Sequence, residues 1–377
     1  MNQLPRVSIV TPSFNQAPFL ETTIRSVVEQ DYPDIEYVVV DGGSTDGSQE
    51  IIKRYADRIA FWVSERDNGQ SDAINKGFRK CTGDIVAWIN SDDVYVEGAI
   101  PLVARYFAEH PDVDMVHGDI DFIDGRGKFI SKVKTADFTL PELLVTNRVS
   151  QPSVFWRRKL FDEIGYLDES FHYVMDYDFW IRVAMKHKVR HVGATVAQFR
   201  LHDTSKTISS NDLFLAEILI IIDRLLRGGD LPADVEEALF IHMQSALSGF
   251  RFDRMDKLQK YLEHDENARL RKLIELADYQ SALSGRPVRY GDLRSIRAHL
   301  RDFFTGYVSQ YDGYRRHVTG RSIDDVVEEE IYNISLNLHE KGLRRKSIKL
   351  FAALACSSPG RFKVDYVKRL LKQYVPG

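Results

Sequence analysis

Val38-Val39-Val40-Asp41-Gly42-Gly43-Ser44-Thr45-Asp46-Gly47 joins an apolar run to an acidic, glycine-rich turn, and a helical pattern follows. An apolar strand closed by turn residues and then a helix is the repeating unit of a parallel sheet, whose strands are buried on both faces. The unit recurs on either side of this stretch. Val7 to Thr11 leads to a helix from about Phe19 to Glu29, and the strand Glu36 to Val40 leads to the helix after Asp46. Ile59 to Val63 precedes a helix from about Ser71 to Lys80, and Ile85 to Ile89 precedes one from about Gly98 to Ala108. Ligands of an open α/β sheet bind at the carboxyl ends of its strands. Here those ends carry Thr11-Pro12-Ser13-Phe14-Asn15, Asp41 to Asp46 and Asn90-Ser91-Asp92-Asp93, so three polar clusters converge on one rim.

Beyond Asp112 the rhythm changes. Asp124-Gly125-Arg126-Gly127 reads as a hairpin turn, Gln151-Pro152-Ser153 leads to the strand Val154 to Trp156, and the sheet becomes mixed. A helix from about Met175 to Lys186 and a strand near Val189 to Phe199 end at Leu201-His202-Asp203. From about residue 210 the pattern is helical, with Leu213 to Leu226, Ala233 to Leu247, Lys257 to Glu263, Ala268 to Ala277 and Asp324 to Leu338 at helical spacing. The expected organisation is an α/β domain over 1–210 and a helical domain over 211–377.

Composition bounds the function classes. The chain has 377 residues, 44% hydrophobic and 28% charged, which suits two globular domains and disfavours disorder. The longest aliphatic run of note, Ile218 to Ile222, falls far short of a membrane span, and Met1 to Arg6 lacks the pattern of a secretory signal. Cys81 and Cys356 are far apart, which points to reduced thiols and against a cysteine-built metal site. Net charge is −4, yet residues 340–377 hold ten Lys/Arg against two acids. Within that tail Phe362, Tyr366, Val367, Leu370, Leu371 and Tyr374 share one helical face while Lys363, Lys368, Arg369 and Lys372 crowd the other. Such a helix suits an anionic partner, a membrane surface or nucleic acid; it is equally the pattern of a packed terminal helix with a solvated basic face.

The chemistry-bearing clusters are individually ambiguous. Gly42 to Gly47 lacks both the Walker ending and the dinucleotide fingerprint, so it reads as a phosphate-approaching loop or as a capped turn. Asp92-Asp93 ends an apolar strand, where adjacent carboxylates repel unless a cation or solvent compensates; Mg2+ or Mn2+ suits them, and so does a solvated helix cap. Asp176 and Asp178 are two apart, hence on different faces of a helix, so one can face a pocket as a general base while an Asp there can also cap the helix or pair with Arg182.

Taken in order, the clusters resemble family-2 inverting glycosyltransferases of the GT-A fold over about Val7 to Ser205. They are Val7 to Asn15, Val38 to Gly47, Gly69-Gln70-Ser71-Asp72-Ala73-Ile74-Asn75-Lys76-Gly77, Gly83-Asp84 with Asn90 to Asp93, Asp176-Tyr177-Asp178-Phe179-Trp180, and His202. The glycine-bounded run and Gln151-Pro152 are similar to a bacterial subgroup that builds surface polysaccharides. The resemblance implies a UDP-sugar donor with Thr11, Pro12, Phe14 and Asn15 around the base and ribose and Asp41 accepting from the uracil N3. It implies Ser91 and Asp92 toward ribose or sugar, and Asp93 with His202 on a Mn2+ or Mg2+ ion that bridges the diphosphate. Asp176 would be the base that deprotonates a glycan or lipid-linked acceptor. Asn90 stands where the usual first acid of the metal motif falls, Met175 where an acid often precedes the base, and Ile74 where many relatives carry Arg, so Gln70 and Asp72 are expected to take over donor contacts. The implied setting is the cytoplasm, peripheral to the inner face of the plasma membrane, with no nucleic-acid partner.

Two other readings differ in what they require. A sugar nucleotidyltransferase needs a basic glycine-rich first loop, which is missing here. A non-catalytic nucleotide-sugar-binding platform with a helical interaction module needs no base, so Asp176 separates it from an enzyme.

Overall fold

A computed structural model describes residues 4–202, 211–228, 231–236, 238, 239 and 242. The chain divides into two compact units, Met1–Ser210 and Asn211–Gly377. The expected helices beyond residue 242, and the basic tail at 340–377, lie outside the described residues.

In the first unit β1 (Val7–Ser13), β2 (Ile35–Asp41), β3 (Phe61–Ser64) and β4 (Ile85–Trp88) pair in parallel, with β1 between β2 and β4. All seven residues of β1 are buried, as expected of a central parallel strand covered on both faces. The helices α1 (Ala17–Val28), α2 (Ser48–Arg54), α3 (Gln70–Phe78) and α4 (Ala99–Glu109) are the crossovers. α1 begins where Pro18 presets the first turn and buries Leu20, Ile24, Val27 and Val28 on one stripe. Each such side chain contributes about 2 kcal/mol, and Ile24→Ala would cost about 3 kcal/mol through the cavity it leaves. α3 carries Gly77 in its interior, where a Cβ would run into Val10 of β1. Glycine there costs about 1 kcal/mol of helix propensity but lets α3 lie close on the sheet.

The sheet then turns mixed. β6 (Met115–Asp124) receives β8 (Phe155–Arg157) and β7 (Phe129–Val133) in antiparallel sense and β9 (Val189–Leu201) in parallel. β8 pairs antiparallel with β4 and so joins the two halves. The nine-stranded order is β3-β2-β1-β4-β8-β6-β9-β5, with β7 added beside β6. This is the mixed, mainly parallel sheet the sequence predicts. Three short elements are not in that expectation: β5 (Val94–Tyr95), α5 (Leu140–Val145) and α6 (Leu160–Ile164). α5 is stopped and started by local chemistry, since Thr139 and Glu142 form a reciprocal capping box.

An aromatic wedge fixes α7 (Met175–Ala184) under the sheet. Trp180 stacks on Trp88 of β4 at 5.5 Å between ring centroids, and Trp156 of β8 meets both edge-on. In the second unit α8 (Asn211–Arg227) covers the expected Leu213 to Leu226 helix. Among the described residues no helix is long and apolar enough to cross a membrane.

Candidate active site

The rim is built by the four parallel strands and by what β9 brings to it. At the end of β1, Thr11 and Pro12 are buried, and the Thr11 hydroxyl accepts from the Tyr37 hydroxyl at 2.9 Å inside the core. Phe14 and Asn15 are the residues of that cluster that emerge, Phe14 at 61% exposure. Asn15 takes a left-handed backbone (φ 53°), a conformation Asn tolerates. Its N–H donates to the Ser44 hydroxyl at 2.8 Å and its side-chain oxygen accepts from the Thr45 N–H at 3.0 Å, so the first and second strand ends are laced together.

Asp41 is the organiser of the second cluster. Fully buried, it accepts from the N–H groups of Gly43 (3.2 Å) and Ser44 (2.9 Å) and from the hydroxyls of Ser44 (2.5 Å) and Ser64 (2.6 Å). A carboxylate offers about four acceptor positions, so its own loop together with Ser64 of β3 takes up that capacity. Gly42 lies flat between neighbours: a Cβ there would come within 2.5 Å of an Asp67 carboxylate oxygen and 3.3 Å of the Phe14 ring. Asp67 therefore belongs to the rim although the sequence reading does not single it out; it also accepts from the Gly69 N–H at 2.9 Å. Asp72 turns inward, accepting from the Asn68 N–H at 2.9 Å and pairing with Lys76 at 3.3 Å, where it caps the start of α3.

A relay of amides crosses the rim. The Gln151 amide donates to the Trp88 carbonyl at 2.9 Å, Asn90 donates to the Gln151 side-chain oxygen at 3.0 Å, and Gln70 donates to the Asn90 side-chain oxygen at 2.8 Å. Ser91, next in line, is buried.

The adjacent acids Asp92 and Asp93 have opposite fates. Asp93 is 1% exposed; its carboxylate accepts from the Arg200 N–H at 2.9 Å and its carbonyl accepts from the Thr23 hydroxyl at 2.7 Å. Burial and the Asp92 charge push the Asp93 carboxyl well above the usual carboxylate range, while the Arg200 N–H and Asn90 act the other way. Asp92 points outward and meets the His202 imidazole at 3.0 Å. The geometry thus pairs His202 with Asp92 and not with Asp93. Arg200 clamps the turn from β9, donating from its guanidinium to the carbonyls of Asp92 (2.8 Å) and Asp124 (3.2 Å) and lying over the Phe19 ring. Its only signal in the sequence is a basic residue at the end of a strand, two positions before His202.

The donor set tests a metal. One carboxylate and one imidazole suit Mg2+ or Mn2+ when substrate phosphates complete the coordination. Among the described residues no group of three His, Cys, Asp or Glu side chains forms an all-protein metal cage. The residues present therefore fit an ion shared with a bound diphosphate.

Asp176 opens α7 and is half-buried. Asp178 pairs with Arg182 at 2.8 Å, which fixes the helix to the carbonyls of Ile164 and Tyr166. Asp176 lies one turn, about 6 Å, before Trp180 on the same helix face. The segment leading into α7 is pinned to α3: Ser71 donates to the Phe171 carbonyl at 3.0 Å, and Asn75 exchanges hydrogen bonds with Leu167. This holds the chain just before α7 against the first turn of α3.

Comparison with known proteins bears on the family and the fold. The Glycosyl transferase family 2 model matches residues 8–185. A PGL/p-HBAD biosynthesis glycosyltransferase of Mycobacterium tuberculosis is 31% identical over 182 residues, 47% of this chain and 69% of the relative. An uncharacterized glycosyltransferase of Rickettsia typhi is 28% identical over 212 residues, 54% of this chain and 66% of the relative. Among solved structures, S. aureus TarS superposes with a TM-score of 0.57 at 17% identity, covering 93% of this chain and 55% of that one. Its 1–349 fragment in complex with UDP-GlcNAc gives 0.55 at 17% identity, covering 84% and 92%. At that identity the likeness is one of fold.

Proposed function

The chain belongs to glycosyl transferase family 2, and from that membership we propose that it moves a sugar from a UDP-sugar to a hydroxyl of a glycan or lipid-linked saccharide, inverting the anomeric carbon. The observation that carries the reading is the meeting of Asp92 and His202 across 110 residues of chain; Asp176, in the first turn of α7, is the base of this proposal. Phe14 offers an exposed ring for the base, and Asn15 and the Asp41 loop shape the floor beside it. That TarS has been crystallised with UDP-GlcNAc and with UDP supports a uridine nucleotide as donor.

In this scheme Asp176 accepts the proton of the acceptor hydroxyl. The oxygen attacks the anomeric carbon in line, a glycosidic bond forms, and the bond to the diphosphate oxygen breaks, releasing UDP. Asp92 and His202 would hold Mn2+ or Mg2+, which when bound supplies positive charge opposite the departing diphosphate. Arg200 holds the Asp92 backbone in place, and the amide relay fixes the rim between α3 and the Gln151 turn. The acceptor is taken to be part of a bacterial surface glycan, as the resemblance of the Gly69–Gly77 run and Gln151-Pro152 implies.

Calorimetric titration with UDP, with and without Mn2+, tests the reading on wild type and Asp92→Ala. Metal-dependent binding that the substitution abolishes is the expected result. Absence of UDP binding by the wild type under both conditions would overturn the donor assignment.

A further inference from the structure

In the β6–β7 hairpin, β7 branches from the main path of the sheet and is exposed from Phe129 to Lys132. Residues 125–134 read Gly-Arg-Gly-Lys-Phe-Ile-Ser-Lys-Val-Lys, four cations and no acid. Lys132 lies 3.8 Å from Asp121, while Arg126, Lys128 and Lys134 make no ion pair among the described residues. At the tip Phe129 is 57% and Ile130 50% exposed, side by side. The register slips between Phe122 and Ile123, leaving Ile130 as an extra residue between Ser131 and Phe129. A bulge of this kind re-aims side chains at a sheet edge.

Lysines alone would be ordinary, since charged side chains protect an exposed edge from pairing with other chains. Phe129 and Ile130 work against that protection, because an exposed apolar pair invites association. Apolar side chains with cations close by in the same hairpin match an interface that is apolar within and anionic at its surface, which is what an acidic bilayer presents. The turn is rigid enough to present them. The Asp124 carboxylate accepts from the N–H groups of Arg126 (2.8 Å) and Lys128 (2.9 Å), and Gly127 adopts φ 82°.

The hairpin is also built into the rim. Its Asp124 carbonyl accepts from Arg200 at 3.2 Å, and a Cβ at Gly125 would touch the Cβ of His202 at 3.9 Å. We infer that the β6–β7 hairpin docks the protein on an anionic lipid bilayer, with Phe129 and Ile130 entering the headgroup boundary and Arg126, Lys128 and Lys134 facing lipid phosphates. Docking there sets the Asp92–His202 edge of the rim beside the membrane. The proposal concerns residues 124–134 and not the sequence at 340–377, and it does not depend on the sugar-transfer reading.

Vesicle co-sedimentation of the full chain tests it, comparing neutral phosphatidylcholine vesicles with vesicles holding about 30% phosphatidylglycerol. Three variants are compared with wild type: Phe129→Ser with Ile130→Ser; Arg126→Ala with Lys128→Ala and Lys134→Ala; and a tail control, Lys363→Ala with Lys368→Ala, Arg369→Ala and Lys372→Ala. Wild type is expected to partition onto the anionic vesicles in a salt-sensitive way. The triple hairpin variant should lose about 100-fold in partition, at about fivefold per cation, and the apolar pair about tenfold or more. The same losses are expected when the hairpin changes are made in the tail control. Equal partition of hairpin variants and wild type, or no preference of wild type for anionic vesicles, would overturn the proposal. So would a wild-type dimer in solution that the Phe129→Ser, Ile130→Ser variant abolishes, since that would make the edge a site for a second copy. UDP titration of every variant reports separately on the donor site and on folding.

Discussion

The parallel half of the sheet and its mixed half treat their acids differently. Between β1 and α3 the carboxylates are filled mostly by their own turns and by the next element of the floor: Asp41 by Gly43, Ser44 and Ser64 of β3, Asp46 by Ser48 and Ala17 of α1, while Asp72 closes the turn into α3. Where β9 crosses back to the β4 end, Asp92 instead meets a residue from far along the chain. Short loops can satisfy their polar groups locally, and the result is a rigid floor. Groups brought together by long-range pairing hold fewer local partners and are left to act on something else. The comparison predicts that substitutions in the parallel loops cost stability and those in the mixed half cost function.

The largest effect should come from Asp176→Asn. Sugar transfer is expected to fall by about 10²- to 10⁴-fold, with melting temperature and UDP affinity unchanged; a variant that keeps its rate would end the assignment of Asp176 as base and favour the binding-platform reading. Asp41→Ala should do the reverse. Orphaning its buried donors is expected to cost about 3 to 4 kcal/mol in denaturant unfolding, and a loss below about 1 kcal/mol would break the contrast.

The mixed half has one buried group that carries a stability term of its own, and it sharpens the comparison. His117 sits fully buried beside His191, with Asp119 and Asp137 near, and its Nε2 has no hydrogen-bond partner among the described residues. Burial, with His191 adding to it and the two acids opposing, lowers its pKa from 6.5 to about 4. The unfolded chain therefore takes up a proton as pH falls below about 6.5 while the folded chain does not. The stabilisation is complete above that pH and lost progressively toward pH 4, by at most about 3 kcal/mol. Unfolding at about pH 7 and about pH 4.5 should show a smaller loss for His117→Leu than for wild type; parallel losses would mean that His117 does not titrate there. The smallest expected effect is that of His202→Ala, a loss of under about 1 kcal/mol in stability together with a drop of roughly tenfold in Mn2+-dependent UDP affinity. A large stability loss with unchanged affinity would place His202 with the structural acids of the other half.

The parallel half is legible in the sequence because each strand is a continuous apolar run closed by turn residues, and α1 and α4 repeat their apolar stripe over three turns. β5, α5 and α6 escape because two to six residues are too few to set a period. β5 exists only through its pairing of Val94 with Gln198 and Tyr95 with Ala197. The site is legible as a set of residues and not as a set of contacts. Nothing local tells which of Asp92 and Asp93 faces out; Arg200, arriving from β9, fixes that by taking Asp93 inward. Likewise Asp178, and not Asp176, takes Arg182, because the partner at one helical turn is four residues away.

The line of amides from Trp88 to Gln70 has a direction. A carbonyl can only accept, so Trp88 obliges Gln151 to turn its nitrogen inward, which leaves Gln151 oxygen-first toward Asn90 and makes Asn90 oxygen-first toward Gln70. Position 90 must speak with opposite polarity to its two neighbours, giving a hydrogen to one and receiving one from the other. An ionised aspartate can only receive, and would set two lone pairs face to face. An asparagine does both, and it leaves Asp92 as the outward-facing acid of the strand end.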